Sequence, residues 1–349
     1  MPESQAPLSK SRRWLYMVMA LLPLCLMLAA TEWYLREQTN QRLQRKLDRN
    51  QALRKSVTIH QASRDPVLIY ELRPGSEADM HGVHYRINSQ GFRDDEFGSL
   101  KAMGATRRAI VLGDSVAWGW GVEMNDAWPQ RLELALKSRH PQWQVCNLAV
   151  NGYATRQEAR MLELRGLGYQ PDLVILHYVL NDTEAEDGGL SWYYNNKGRF
   201  ETWQQLKFFM AYLLAWMEHY TGKNSDSASA PPLEAADHFY LTHEVLFGEV
   251  EQGFAEIRRL TNDKKIPVLV VVTPVFQYKQ NQPYPWAAIH EKIRKLSAIN
   301  GFAYLDTAPL FIDKPPASVA LDPIHPNASG HGLIAEAVLR YAESSGLIQ

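Results

Sequence analysis

Ala109-Ile110-Val111-Leu112-Gly113-Asp114-Ser115 is an apolar run that stops at a glycine turn and delivers a serine. Such a run reads as a buried strand handing over to a helix, which places Ser115 at the carboxyl edge of a sheet, where open α/β sheets bind ligands. The same alternation continues outward. Strands are expected at 109–112, 144–149, 172–180, 266–273 and 302–305, with helices near 127–139, 155–166, 243–262, 286–299 and 328–344. Strands alternating with helices in this way predict a parallel sheet covered on both faces.

A serine hydroxyl is a weak nucleophile until a base takes its proton and a third group orients that base. Asp322-Pro323-Ile324-His325-Pro326 supplies both. Three residues apart, the carboxylate can hold one imidazole nitrogen while the other faces Ser115, and the two prolines stiffen the loop. Two further strand ends carry donors for a developing oxyanion. The strand through Asn147-Leu148-Ala149-Val150 runs out at Gly152, whose bare N–H can approach an oxygen closely. The strand from Asp172 ends at Asn181, whose amide donates where an aspartate only accepts.

Ser115, Gly152, Asn181 and His325, in this order and each at a strand end or the loop after it, resemble the SGNH (GDSL-type) hydrolase family over roughly residues 107–347. The extended forms Gly-Asp-Ser-x-x-x-Gly-x-Gly-Val and Asp-x-x-His-Pro-Asn-x-x-Gly-His make the match much more specific than either short motif alone. The resemblance implies a flavodoxin-like three-layer α/β/α domain. It also implies that Ser115 is the nucleophile and His325 the base, with Asp322 as its orienter. The oxyanion hole would comprise the Ser115 N–H, the Gly152 N–H and Asn181. One departure leaves the shape of the Asn181 loop open: Val179 stands where the family usually has glycine.

With 349 residues and 46% apolar content, the chain has ample material for a large α/β domain with additions. The net charge is −1, and nothing in its distribution suggests nucleic acid: residues 1–106 carry 15 basic and 11 acidic side chains, residues 107–349 carry 22 and 27. Lys10, Arg12 and Arg13 precede seventeen uncharged residues, Trp14 to Ala30, and Leu28-Ala29-Ala30 is a poor cleavage site. The expectation is therefore an uncleaved single-pass membrane anchor with the enzyme facing outward. The two cysteines, Cys25 and Cys146, form no disulfide framework.

The expected organisation is a tail at 1–13, an anchor at 14–31, a helical stalk and small β extension at 32–105, and the hydrolase domain at 106–349. Within the extension, Arg93 is expected to form a structural salt bridge rather than to touch substrate. An aromatic-rich insertion at 183–243 interrupts the hydrolase domain directly after Asn181. Trp192, Tyr193 and Tyr194, nearest to Asn181 in the chain, are the candidates to contact substrate.

Other signals fail. His177 lies in an apolar strand and reads as a core histidine, and His331 opens the last helix and reads as a capping group. Gly119-x-Gly121 lacks the third glycine of a dinucleotide fingerprint, and no His-Glu-x-x-His or paired cysteines suggest a metal. No cofactor is expected. The sequence thus predicts a serine esterase acting on O-acyl, chiefly O-acetyl, esters of a small molecule or cell-envelope carbohydrate. The alternatives are an O-acyltransferase of exopolysaccharide biosynthesis, suggested by resemblance to membrane-anchored bacterial relatives, and a non-catalytic partner in an envelope complex. A bacterial inner-membrane location with the catalytic domain in the periplasm follows from the anchor.

Overall fold

The computed structural model describes residues 51–98, 107–180, 244–279 and 282–349, together with scattered helical positions between 22 and 45. These belong to two units, Met1–Asn50 with Asn195–Ser229, and Gln51–Tyr194 with Ala230–Gln349. In the first, the described positions are helical, with Arg36 paired to Glu32 one turn earlier. No helix among the described residues is long and apolar enough to cross a membrane, and most of the run Trp14 to Ala30 lies outside them.

The second unit begins with α1 (Gln51–Ile59) and two short hairpins, β1 (His60–Ala62) with β2 (Tyr70–Leu72) and β3 (Glu77–Met80) with β4 (Val83–Arg86). The αβ alternation follows: β5 (Arg107–Gly113), α2 (Ser115–Trp118), α3 (Trp128–Arg139), β6 (Trp143–Asn147), α4 (Thr155–Leu164), β7 (Leu173–Tyr178), α5 (Glu244–Asn262), β8 (Val268–Val272), α6 (Ala287–Asn300), β9 (Ala303–Asp306), α7 (Pro316–Val319) and α8 (Ala328–Ser344). The five-stranded sheet is wholly parallel, in the order β6-β5-β7-β8-β9. Helices α3 and α8 pack together, as do α4, α5 and α6 in sequence. This is the arrangement that right-handed crossovers give when the strand order reverses once.

Burial explains why β5, β7 and β8 read as unbroken apolar runs. Leu173, Val174, Ile175 and Leu176 of β7 are all fully buried, as are Ala109 to Leu112 of β5. A strand covered on both faces has no solvent side on which to place polar residues. Each such aliphatic side chain stabilises the fold by roughly 1.5–3 kcal/mol relative to exposure. The strand order reverses between β5 and β6 on one side and β7 on the other. The carboxyl ends of these three strands therefore define the crevice where a doubly wound sheet binds its ligand.

Candidate active site

Ser115 is the first residue of α2, one peptide beyond the Asp114 cap. The turn is tight because Gly113 lies against its surroundings: a Cβ there would sit 2.7 Å from Ala117 Cβ and 3.1 Å from His177 Cβ. Asp114 Oδ1 accepts from the Val116 N–H at 3.0 Å, fixing the helix start, and Oδ2 lies 3.0 Å from Ser115 Oγ. Ser115 is 5% exposed, so its hydroxyl shows only a narrow face.

His325 Nε2 is 2.9 Å from Ser115 Oγ, and His325 Nδ1 is 2.7 Å from Asp322 Oδ2. An ionised carboxylate only accepts, which puts the ring proton on Nδ1 and leaves the Nε2 lone pair for the serine. Asp322 Oδ1 accepts from the N–H groups of both Ile324 and His325, at 2.8 Å each. Burial alone would raise the Asp322 pKa; the His325 ring and the two N–H groups reverse this and hold it at about 2. The loop itself is tied down by Leu321 N–H to His325 O, Asn327 N–H to Val319 O and Phe276 N–H to Pro323 O.

Gly152 follows β6 with φ +80, and a Cβ on it would meet the Tyr70 hydroxyl at 2.8 Å. Glycine is the residue that tolerates both constraints. Its N–H donates to no acceptor among the described residues. The loop is held by the Val150 N–H to Gly113 O, by the Tyr70 hydroxyl to Asn151 O, and by the Tyr153 hydroxyl to Tyr70 O. Ser115, His325 and Asp322 thus form one relay, and the Val150–Gly113 bond brings the loop that carries Gly152 to the same end of the sheet. Asn181, Trp192, Tyr193 and Tyr194 lie outside the described residues, β7 being followed to Leu180.

The β extension braces this site, which the sequence did not reveal. Arg93 forms no salt bridge with any of the described residues; it is 1% exposed and donates to the carbonyls of Trp118, Gly119 and Val122 at 3.0, 2.5 and 2.7 Å. Its guanidinium lies 4.3 Å from the Tyr85 ring centre, and burial lowers its pKa to about 10. The carbonyls at the end of α2 and in the turn after it are what draw it inward, because buried acceptors need donors. Tyr85 stacks on Trp118 at 4.7 Å, nearly parallel, and its hydroxyl accepts from the Gly121 N–H at 2.7 Å. Asp94, whose pKa burial raises to about 7, accepts from the Asn147 N–H at 2.8 Å.

His177 is fully buried with Nε2 2.7 Å from Thr273 Oγ1, and burial lowers its pKa to about 3. His331 Nδ1 accepts from the Trp128 N–H at 3.2 Å and so caps α3 rather than its own helix. Among the described residues no group of three or more His, Cys, Asp or Glu is placed to hold a metal.

A nucleophile turn after the first strand of a doubly wound parallel sheet, facing an Asp-x-x-His loop before the last helix, defines an SGNH-type esterase. Residues 111–333 match the GDSL-like Lipase/Acylhydrolase family, and the chain belongs to that family. Among solved structures it is similar to LAE5, an alpha/beta hydrolase from the metagenome of Lake Arreo, Spain (17% identity, TM-score 0.44, covering 71% of this chain and 98% of that one). It is also similar to a catalytic mutant of Axe2, an acetylxylan esterase from Geobacillus stearothermophilus (17%, 0.42, 68% and 94%). A third is a two-domain esterase active on acetylated mannans (14%, 0.42, 69% and 49%). No curated protein matches the chain.

Proposed function

We propose that this esterase removes O-acetyl groups from a cell-envelope carbohydrate through a Ser115–His325–Asp322 triad. The observation that carries the reading is the unbroken relay from Ser115 Oγ through His325 to Asp322, at 2.9 and 2.7 Å. His325 Nε2 takes the serine proton as Oγ attacks the ester carbonyl. The oxyanion is received by the N–H groups of Ser115 and Gly152 and by the Asn181 amide. The tetrahedral intermediate collapses, His325 gives the same proton to the departing alcohol, and the acyl group stays on Ser115 Oγ. Water then repeats the sequence, releasing acetate and restoring the serine.

The sugar, the acetyl group and the setting draw their support from the resemblance to exopolysaccharide-modifying proteins and from the uncharged run Trp14 to Ala30 behind Lys10, Arg12 and Arg13. In this reading the run anchors the chain in the bacterial inner membrane with the catalytic domain in the periplasm. A relay with all three members in hydrogen-bond contact argues against a non-catalytic assembly role. The test uses the full chain in detergent on p-nitrophenyl acetate and longer p-nitrophenyl esters, with and without an added oligosaccharide. A fluorophosphonate probe should label the wild type but not Ser115→Ala, and acetate should appear whether or not sugar is present. Acylated oligosaccharide formed at the expense of free acid would instead establish an O-acyltransferase, since only a site that excludes water gives that partition.

A further inference from the structure

We infer that Trp120, flanked by His81 and Leu321, is the platform on which the sugar ring of the departing alcohol stacks. This rests on the esterase reading above and names where its leaving group lies. The argument begins with the proton. His325 must hand it to the alcohol oxygen, so that oxygen comes within hydrogen-bond reach of Nε2 and the rest of the alcohol must extend over whatever adjoins the imidazole. Trp120 adjoins it, with ring centres 5.7 Å apart and planes 34° apart. The indole is partly open to solvent, and Leu321, the residue before Asp322, is 52% exposed and reaches over Gly121, the residue next to Trp120. A partly exposed tryptophan and an exposed leucine at the mouth of a crevice form an apolar face waiting for a ligand.

His81 says what kind of ligand. It occupies the two-residue turn His81-Gly82 between β3 and β4, with φ +53, a conformation that costs a side-chain-bearing residue roughly 1–2 kcal/mol. Such turns favour Asn-Gly or Gly-Gly, and histidine is among the few other side chains that this region admits. The geometry brings its ring 4.8 Å from that of Trp120. A positive-φ position held against the tryptophan that adjoins His325 points to a use for the side chain it presents. Behind Trp120, the rings of Tyr85 and Trp118 lie 6.5 and 6.3 Å away, and its main-chain N–H donates to Ser115 O at 2.9 Å, which ties the backbone that carries the platform to the turn of the nucleophile. A flat apolar surface with an imidazole at its rim fits a pyranose, which offers C–H groups on its face and hydroxyls on its edge; an alkyl alcohol would have no use for the imidazole.

Two measurements on the full chain test this. Acetate release is followed from O-acetylated xylobiose and from ethyl acetate, which share the acyl group and differ in the alcohol. Binding of O-acetylated xylobiose to Ser115→Ala protein is followed by calorimetry. Trp120→Ala should lower the ratio of kcat/KM for the sugar ester to that for ethyl acetate at least tenfold, chiefly through KM. His81→Ala, on the surface, should lower it severalfold, while Trp120→Phe should keep most of it. In the Ser115→Ala background, Trp120→Ala should weaken sugar binding by a similar factor. Equal losses on both esters would show that Trp120 merely supports His325 and would overturn the inference, as would sugar binding indifferent to Trp120 and His81. A wild type that turns over neither ester while Ser115→Ala binds sugar in a Trp120-dependent way would sink the esterase reading and leave the platform standing.

Discussion

Replacing Arg93 with methionine should be among the most damaging changes outside the triad. The guanidinium makes three buried hydrogen bonds, to Trp118, Gly119 and Val122 carbonyls, and faces the Tyr85 ring. Hydrogen bonds from a charged donor contribute roughly 1.5–3 kcal/mol each, so their gross loss is about 5–9 kcal/mol. Against this stands the cost of burying an ion: Arg93 is 1% exposed, its Nε has no acceptor, and no carboxylate pairs with it among the described residues. That relief is worth several kcal/mol, and methionine refills most of the stem's volume. The net loss should be about 3 kcal/mol, which lowers Tm by roughly 6–12 °C for a domain of this size. Because two of these carbonyls close the helix that begins with Ser115 and the third belongs to the turn after it, kcat should also fall by roughly ten- to a hundredfold as Oγ shifts relative to His325 Nε2. Arg93→Lys, a point charge that satisfies only some of the carbonyls, should fall between. Urea unfolding and steady-state hydrolysis of p-nitrophenyl acetate measure both effects. An Arg93→Met protein as stable as wild type within about 0.5 kcal/mol, a difference too small for lost buried hydrogen bonds, would mean that the three carbonyls do not need their donor.

Four further outcomes follow from the geometry. Asp322→Asn should lower kcat by about two to four orders of magnitude with Tm little changed, because an amide no longer requires the ring proton on Nδ1; undiminished turnover would remove Asp322 from the relay. With its carboxyl held at about 2, Asp322 stays ionised as pH falls to that value, so the acid side of the pH–rate profile should not arise from it. Gly152→Ala forces a side chain into φ +80 and onto the Tyr70 hydroxyl, so both stability and kcat should drop, and adding Tyr70→Phe should restore part of each. Glu158 in α4 is 1% exposed, with neither carboxyl oxygen hydrogen-bonded among the described residues; burial, then the nearby Asp114 carboxylate, raises its pKa well above 4.5. The folded chain therefore keeps a proton that the unfolded chain releases above about 4.5, and stability falls as pH rises. Glu158→Gln should abolish that decline, so chemical denaturation from pH 5 to 8 should show the variant gaining on wild type; parallel curves would contradict it.

The parts of the site legible in the sequence are those that a strand end or the short Asp322-x-x-His325 spacing marks. The run Ala109 to Leu112 announces β5 because a strand buried on both faces is continuous in apolar residues, and Gly113 ends it. The last helix was expected over 328–344 and spans Ala328–Ser344, because Asn327 marks its start; Asn327 Oδ1 accepts from the Gly330 N–H at 3.1 Å. The hairpin of β1 and β2 was missed since strands of three residues are too short to show alternation. Arg93 was misread for a different reason. A charge satisfied by main-chain carbonyls has no partner residue to find by spacing, so the acid–base pattern that suggests a salt bridge carried no information here. His81 and Trp120 meet only through the folded extension, 39 positions apart in the chain, and no local pattern joins them.

The extension also bears on where this protein can be cut. The family match begins at residue 111, yet Ile59, Leu68, Tyr70, Tyr85 and Phe92 are each no more than 1% exposed, covered in part by Trp118 and Tyr153 of the matched region. Trimming the chain to residues 111–333 would remove β5's first four residues and uncover the far side of those aromatic contacts. The unit that is recognisable by descent is therefore smaller than the unit that can fold. Sequence variation between residues 51 and 98 should accordingly register in assays as change at the nucleophile, although not one of those residues takes part in the proton relay.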